Sequence, residues 1–230
     1  MSTNPDAVLL DAVEIETGPA PRASVIWMHG LGADGHDFEP IVPELSLPKG
    51  PIRFIFPHAP HRPVTINGGM RMPAWYDILE PTLDPASRRE DAQGIRGSQA
   101  QVEALVARER ERGVPDSRIV LAGFSQGGAI ALHTGLRHPA RLAGIMALST
   151  YLPLQSTLAA EASPANRDVP VFMAHGLVDP VVVPVRATAS RDLLLGAGYG
   201  VQWHEYPMPH AVCAEEIADI GAWLRRVLPD

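Results

Sequence analysis

The chain has 230 residues, enough to bury a hydrophobic core without a disulfide or a structural metal ion. Hydrophobic residues make up 46% and charged residues 20%, a balance typical of an ordinary globular protein rather than a disordered one. The formal net charge of −7 argues against nucleic acid as a partner. A single cysteine, Cys213, excludes an internal disulfide and favours a reducing compartment.

Two long stretches, 119–136 and 142–160, carry no formal charge and are the candidate membrane spans of the sequence. Glycine, proline and hydroxyl residues interrupt both, so neither is the mostly apolar run of about 20 residues that crosses a bilayer. Residues 1–11 hold two aspartates, no basic residue and no long apolar region, which is unlike a signal peptide. We therefore expect no membrane span and a cytoplasmic location.

Short apolar runs alternate with amphipathic segments along most of the chain. Runs that are apolar throughout are typical of strands in a parallel sheet covered on both faces. Together with segments of helical periodicity, they predict an α/β fold in one domain, with a mostly parallel central sheet flanked by helices on both faces. The predicted strands are 24–28, 52–56, 119–124, 142–148, 169–174 and 201–206, and the predicted helices are 91–113, 126–138, 185–195 and 213–227.

Two segments follow a different pattern. Residues 8–16 are predicted to add an edge strand or a hairpin. Residues 57–87 contain six prolines and the pair Gly68-Gly69, which predict a long irregular excursion. Loops of this length in a compact domain usually carry function.

The sequence Gly-Phe-Ser-Gln-Gly at 123–127 matches the G-x-S-x-G nucleophile elbow. The string alone arises by chance in roughly one sequence in twelve, but here it lies between a predicted strand and a predicted helix, as the elbow requires. Its glycines would leave room where strand and helix nearly touch. The alternatives are an ordinary strand-to-helix turn or a phosphate-binding helix N-terminus.

A serine hydroxyl needs a base, and the base needs an orienting acid. Asp179 and His210 each follow a predicted strand, which places them with Ser125 at three successive strand ends on one edge of the sheet. The backbone N–H groups of Gln126 and Leu31 are the candidate oxyanion donors. Less suitable acids and bases, judged by their places in the predicted elements, are Asp168, Asp192, His133, His138, His175 and His204.

Two histidines and the single cysteine are the residues that could indicate metal or cysteine chemistry. His58 and His61 are close together, but Pro60 prevents a regular helix and no carboxylate stands at ligand spacing, so no metal site is predicted. Cys213 lies in the predicted last helix without an elbow and is interpreted as a small buried hydrophobic residue.

Taken together, these motifs resemble the phospholipase/carboxylesterase family of α/β-hydrolases, which includes acyl-protein thioesterases and small bacterial carboxylesterases. The resemblance covers nearly the whole chain and is carried by HGLGADG at 29–35, INGGMRMPAWYD at 66–77, the elbow, and LSTYLP at 148–153. It implies the α/β-hydrolase fold, a triad of Ser125, Asp179 and His210, an oxyanion hole from Leu31 and Gln126, no cofactor, and a homodimer.

The sequence departs from this family around the base. Pro209 and Ala211 stand where the family usually has a flexible residue and a serine. Neither change removes a catalytic atom, but both bear on how His210 is seated, since proline restricts its own backbone and that of the preceding residue.

The resulting hypothesis is a serine carboxylesterase that hydrolyses esters of short to medium acyl chains through an acyl-enzyme on Ser125. Acyl-protein thioesterase or lysophospholipase activity is the alternative within the enzyme class, and a non-catalytic binding protein is the alternative outside it. The acyl pocket is predicted to include Trp75, Met70, Met72, Ile78, Leu83 and Val182, although the apolar residues of 57–87 could equally cap the core.

Overall fold

The computed structural model describes residues 9–47, 50–79 and 89–228. Its main feature in these ranges is a seven-stranded sheet beside a separate two-stranded hairpin. The strands are β1 (Ala12–Glu16), β2 (Ala23–Met28), β3 (Ile52–Pro57), β4 (His61–Val64), β5 (Met70–Pro73), β6 (Ile119–Phe124), β7 (Gly144–Leu148), β8 (Val171–Gly176) and β9 (Val201–Tyr206).

The large sheet has the strand order β1-β3-β2-β6-β7-β8-β9. Every neighbouring pair is parallel except β1 and β3, which pair antiparallel with Ala12 opposite Pro57. The predicted mostly parallel sheet is thus confirmed, and the segment predicted as an edge strand or hairpin is the edge strand β1.

Helices cover both faces of this sheet, as predicted. They are α1 (Ala92–Glu111), α2 (Gln126–Arg137), α3 (Leu158–Glu161), α4 (Pro184–Gly196) and α5 (Ala214–Val227). The side chain of Asp91 caps α1 by accepting a hydrogen bond from the N–H of Gly94 at 2.8 Å. None of the helices in the described ranges is long and apolar enough to cross a membrane.

The apolar runs are explained by two cores, one on each face of the sheet. In β3, Ile55 packs into the core formed with α1, α2 and α4, whereas Phe54 and Phe56 pack into the core formed with α5. Because successive strand residues point to opposite faces, a strand that contributes to both cores has to be apolar throughout.

The prediction of an irregular excursion was wrong for residues 61–73, where β4 and β5 pair antiparallel. Gly68 and Gly69 form the turn with φ of 67° and 77°, a left-handed conformation that favours glycine. Pro63 lies within β4, which is possible because each strand of a two-stranded hairpin has a free edge. Leu83 lies outside the described residues.

The carboxyl ends of β6, β8 and β9 lie at one edge of the sheet and carry the three predicted catalytic residues. They are not successive strand ends, as the sequence suggested, because β7 lies between β6 and β8. That strand is itself among the predicted ones, at 142–148, and lies in the interval between Ser125 and Asp179.

Candidate active site

Ser125 lies at the sharp turn between β6 and α2. Its φ of 53° and ψ of −120° are unusual for a residue with a side chain and cost free energy on the order of 1–3 kcal/mol. Three hydrogen bonds hold the turn: the Ser125 N–H donates to the carbonyl of Leu148 at 2.8 Å, and its carbonyl accepts from the Ala129 N–H at 3.1 Å and the Thr150 hydroxyl at 2.6 Å. The local fold therefore holds the serine in a nucleophile-elbow geometry.

The glycines around Ser125 stand where strand and helix touch. A Cβ on Gly123 would lie 2.3 Å from the carbonyl carbon of Gly127, and a Cβ on Gly127 would lie 2.3 Å from the carbonyl oxygen of Met28. A Cβ on Gly128 would lie 2.8 Å from the oxygen of Gly123. These contacts are with backbone atoms, so the turn requires glycine for reasons of space.

Asp179 and His210 are in direct contact. The ring Nδ1–H of His210 donates to Oδ2 of Asp179 at 2.6 Å. The other carboxylate oxygen accepts the N–H groups of Val181 and Val182 at 2.8 Å and 2.9 Å. Because the Asp179 side chain is fully buried, these donors are what stabilises its negative charge and fixes its orientation.

The ring of His210 packs against Phe124, the residue that precedes Ser125, with ring centroids 4.7 Å apart. The loop before His210 also touches β8, where a Cβ on Gly176 would lie 2.3 Å from the carbonyl oxygens of Met208 and Pro209. His210 is thus held between the elbow strand and the Asp179 strand, and Pro209 is part of a packed loop.

His175 supports the loop that carries Asp179. Its Nε2–H donates to the Val182 carbonyl at 2.7 Å, and the same nitrogen lies 3.4 Å from Oδ2 of Asp179. Burial lowers the pKa of His175, which favours the neutral ring. The histidine is therefore suited to fixing this loop rather than to exchanging protons.

The two candidate oxyanion donors follow β2 and begin α2. In the described part of the chain, neither the Leu31 N–H nor the Gln126 N–H has a hydrogen-bond acceptor. His29 fixes the first of these loops: its Nε2 accepts from the Ala59 N–H at 3.0 Å, so the proton is on Nδ1, which donates to the Gly30 carbonyl at 2.7 Å. Burial lowers the pKa of His29, in keeping with this neutral tautomer.

The side chain of Gln126 has a role that the sequence did not reveal. Its Oε1 accepts from the Trp75 N–H and its Nε2 donates to the Tyr76 carbonyl, each at 2.7 Å. The Trp75 indole N–H in turn donates to the carbonyl of His29 at 2.9 Å. The segment after the hairpin is therefore bound directly to the elbow and to the loop that carries Leu31.

A cleft of about 180 Å³ opens beside Ser125. Its described lining is mostly apolar, and Val182 belongs to it as predicted. The residues of the lining are Leu31, Ile66, Tyr76, Ile78, Ser125, Gln126, Tyr151, Val181, Val182, Val183 and Arg186.

Three other predicted pocket residues lie elsewhere. Trp75 is fully buried beneath the site, where it joins the two loops described above. Met70 is 65% exposed on the hairpin, and the sulfur of Met72 accepts a hydrogen bond from Asn67 at 3.3 Å. Their apolar character suggested a lining role, but Met70 and Met72 belong to the hairpin strand β5, the Trp75 indole is buried, and none of the three lines the cleft.

Three residues of the cleft were not predicted from the sequence: Tyr76, Tyr151 and Arg186. The two hydroxyls are hydrogen-bonded to each other at 2.7 Å, and the guanidinium carbon of Arg186 lies 3.3 Å from the centroid of the Tyr151 ring. Two features of the sequence could have indicated them. The tyrosines belong to the segments that carry the family resemblance, and Arg186 is a basic residue in the first turn of a helix, where the helix dipole disfavours a cation.

The remaining histidine and aspartate candidates lie away from the cleft. His138 bridges Glu103 and Asp116 at 2.7 Å each, and His204 lies 3.2 Å from Asp219. Cys213 precedes α5 as its N-cap instead of lying within it. His133 lies within α2, and Asp192 lies within α4, where it pairs with Arg191. Asp168 forms an exposed ion pair with Arg141. The ring of His58 accepts the Gly35 N–H, and the carbonyl of His61 accepts from Arg71.

Comparison with known proteins places this geometry in context. The family model described as phospholipase/carboxylesterase matches residues 11–228. The chain is 44% identical over 214 residues to an acyl-protein thioesterase 1 of Gibberella zeae, covering 90% of this chain and 91% of that protein. It is 45% identical over 215 residues to the protein of that name in Neurospora crassa, covering 90% and 87%.

Solved structures show the same likeness. The crystal structure of Zea mays acyl-protein thioesterase 2 matches with a TM-score of 0.83 at 29% sequence identity, covering 95% of this chain and 100% of that one. The similarity therefore extends over the whole sheet and the loops at its carboxyl edge.

Proposed function

Because the chain belongs to the phospholipase/carboxylesterase family of α/β-hydrolases and is a serine hydrolase acting on ester bonds, we propose that it hydrolyses acyl thioesters, and oxygen esters beside them, through an acyl-enzyme on Ser125. The contact between Asp179 and His210, whose ring packs against the residue preceding a serine held in an elbow, is the observation that carries this proposal. The relatives named acyl-protein thioesterase favour the thioester as the preferred bond.

In the proposed reaction, the hydroxyl of Ser125 attacks the acyl carbonyl while His210 takes its proton. Asp179 holds the proton of His210 on Nδ1 and stabilises the imidazolium that forms. The developing oxyanion is bound by the N–H groups of Leu31 and Gln126, the second of which lies at the positive end of α2.

The leaving group then departs and water repeats the attack on the acyl-enzyme. A thiolate leaves with less help from an acid than an alkoxide does, because a thiol has a pKa near 8.5 and an alcohol a far higher one. His210 is therefore needed mainly as the base when the substrate is a thioester, and as both base and acid when it is an oxygen ester.

The test compares the protein with its Ser125→Ala variant on a fluorogenic acyl thioester and on p-nitrophenyl butyrate. We expect kcat to fall by about 10⁴ or more on both, and kcat/KM of the intact enzyme to be higher for the thioester. Full activity in the variant would rule out the acyl-enzyme. Labelling by a fluorophosphonate, which requires an activated serine, separates the enzyme from a non-catalytic binding protein.

Within this function, a chain-length series and a lysophospholipid distinguish the remaining substrates. Activity confined to the lysophospholipid would favour the lysophospholipase alternative. Two further expectations, a homodimer and a cytoplasmic location, stay predictions; sedimentation of the purified protein tests the first.

A further inference from the structure

Arg186 is the one basic residue among the described residues that line the cleft beside Ser125. The other lining side chains are apolar, apart from Ser125, Gln126 and two tyrosines. The tyrosine hydroxyls are bonded to each other, and the amide of Gln126 is engaged with the backbone of Trp75 and Tyr76. The positive charge therefore stands alone in the part of the substrate site that the structure describes.

The position of this charge is unfavourable for the fold alone. Arg186 lies in the first turn of α4, where the helix dipole disfavours a cation. Its Nε is buried without a hydrogen-bond partner in the described structure, and no carboxylate of the described residues lies within 4.0 Å of its guanidinium. A half-buried cation without a carboxylate partner is stabilised when an anion binds beside it.

The acidic residues nearest to this site are engaged elsewhere. Asp77, Glu90 and Asp91 line a small cavity that Arg186 also borders. Asp77 accepts the N–H and the hydroxyl of Thr65, Glu90 accepts the N–H of Leu154 at 3.1 Å, and Asp91 accepts the N–H groups of Asp77 and Gly94. None of these carboxylates forms an ion pair with the guanidinium.

The guanidinium is also held in place before any substrate arrives. It lies over the Tyr151 ring with its central carbon 3.3 Å from the ring centroid, a cation–π contact. Arginine fixed in this way can present its remaining donors to a carboxylate as a pair. The stacking leaves a prepared anion-binding group at one wall of the cleft.

We propose that Arg186 selects acyl groups that carry a carboxylate at their far end, such as half-esters and half-thioesters of dicarboxylic acids. This inference rests on the proposed function, since it specifies the acyl group that Ser125 would carry. The acyl side is chosen over the leaving group because Arg186 lines the same cleft as Ser125, and the mostly apolar lining of that cleft suits an acyl chain.

The experiment compares 4-nitrophenyl half-esters of adipic and suberic acid with the methyl 4-nitrophenyl diesters of the same acids. Each pair has the same chain and differs in one charge. We expect kcat/KM of the intact enzyme to be at least about tenfold higher for the half-ester of one of the acids, and this ratio to fall at high salt.

In Arg186→Met the ratio of half-ester to diester is expected to fall by about tenfold or more, and in Arg186→Lys to fall less. Arg191→Met is the matched control, because Arg191 lies on the same helix, pairs with Asp192 and does not line the cleft. It should keep the ratio of the intact enzyme. Thermal melts of all three variants identify any loss of folding.

Different outcomes test the role of Arg186 and the proposed function of Ser125 separately. If Ser125 hydrolyses the diesters but Arg186→Met leaves the ratio unchanged, the role of Arg186 is overturned and the proposed function stands. If neither ester is hydrolysed in a Ser125-dependent manner, both are overturned. Esters of hexanoic acid with 4-hydroxybenzoate, beside its methyl ester, place the charge on the leaving group; a preference for that charge that depends on Arg186 would overturn the acyl assignment.

Discussion

Gln126 and Trp75 are joined by a hydrogen bond of 2.7 Å, from the main-chain N–H of Trp75 to the side-chain Oε1 of Gln126. A second bond, from the Gln126 amide to the carbonyl of Tyr76, completes the pair. Through its own N–H the same residue is a candidate oxyanion donor. One glutamine thus couples the position of the cleft wall to the start of α2.

Replacing Gln126 by Glu should weaken both activity and stability. The carboxylate can still accept from Trp75 but has no proton for the Tyr76 carbonyl, which leaves two buried oxygens facing each other. A buried polar group without its partner costs about 1–3 kcal/mol, and we expect kcat/KM to fall by roughly tenfold. Gln93→Glu, at an exposed position of α1, is the control. Equal effects of both substitutions would contradict the coupling.

Replacing Asp179 by Asn should abolish most activity while leaving the fold intact. The amide oxygen can still accept from Val181 and Val182, but its NH₂ group would face Nδ1 of His210 and force the other tautomer. We expect kcat to fall by about 10³–10⁴. Asp192→Asn, at an exposed site on α4, should retain the original rate. Steady-state kinetics and circular dichroism of both variants provide the test.

Two glycine-to-alanine substitutions should have opposite effects on stability. At Gly127 a Cβ would lie 2.3 Å from the carbonyl oxygen of Met28, so alanine has to push α2 away from β2, at a cost of about 3 kcal/mol or more. At Gly97, on the exposed face of α1, nothing lies within 4 Å, and alanine should stabilise the helix by about 0.5–1 kcal/mol. Urea unfolding of the two variants checks both signs.

The pH dependence of stability should contain a contribution from Glu216, which is buried in the first turn of α5. Burial raises its pKa from the ordinary 4.5 to about 8, with a further contribution from the charge of Asp219. Between these values the folded chain keeps a proton that the unfolded chain has released. The stability associated with the protonated form is therefore complete below about pH 4.5 and is lost as the pH rises through about 8.

Glu216→Gln replaces the titrating carboxyl with an amide, so this position no longer binds or releases a proton. Between pH 5 and 8, the free energy of unfolding of the original chain should fall relative to that of the variant, by up to about 1.4 kcal/mol per pH unit. Denaturant titrations at several pH values measure the difference. Parallel curves for the two proteins would show that the Glu216 carboxyl ionises at its ordinary pKa.

The strands and helices of the large sheet could be predicted because their signals are local. An apolar run such as 119–124 indicates burial on both faces, and the glycines that follow indicate close packing of strand and helix. The strand ends then placed Ser125, Asp179 and His210 at one edge. The hairpin of β4 and β5 escaped prediction because its prolines mask the strand pattern, although a free edge tolerates them.

The cleft could not be predicted to the same degree, since its lining depends on contacts between distant segments. Tryptophan is a residue type that often lines pockets, but the indole N–H of Trp75 donates to the carbonyl of His29 and the ring is buried in the core. Arginine is a residue type that usually lies on the surface, but Arg186 stacks on Tyr151 and therefore lines the cleft. Which face a side chain presents is decided by these partners and not by its neighbours in sequence.

The left-handed backbone of Ser125 has a consequence for how such a chain could change over time. Glycine adopts a φ of 53° without the steric cost that serine bears, so a glycine at this position would relieve the backbone while removing the proposed nucleophile. A descendant that no longer needed the hydroxyl of Ser125 would be free to make that exchange. Ser125 therefore occupies this position at a cost to stability that its proposed role in catalysis explains.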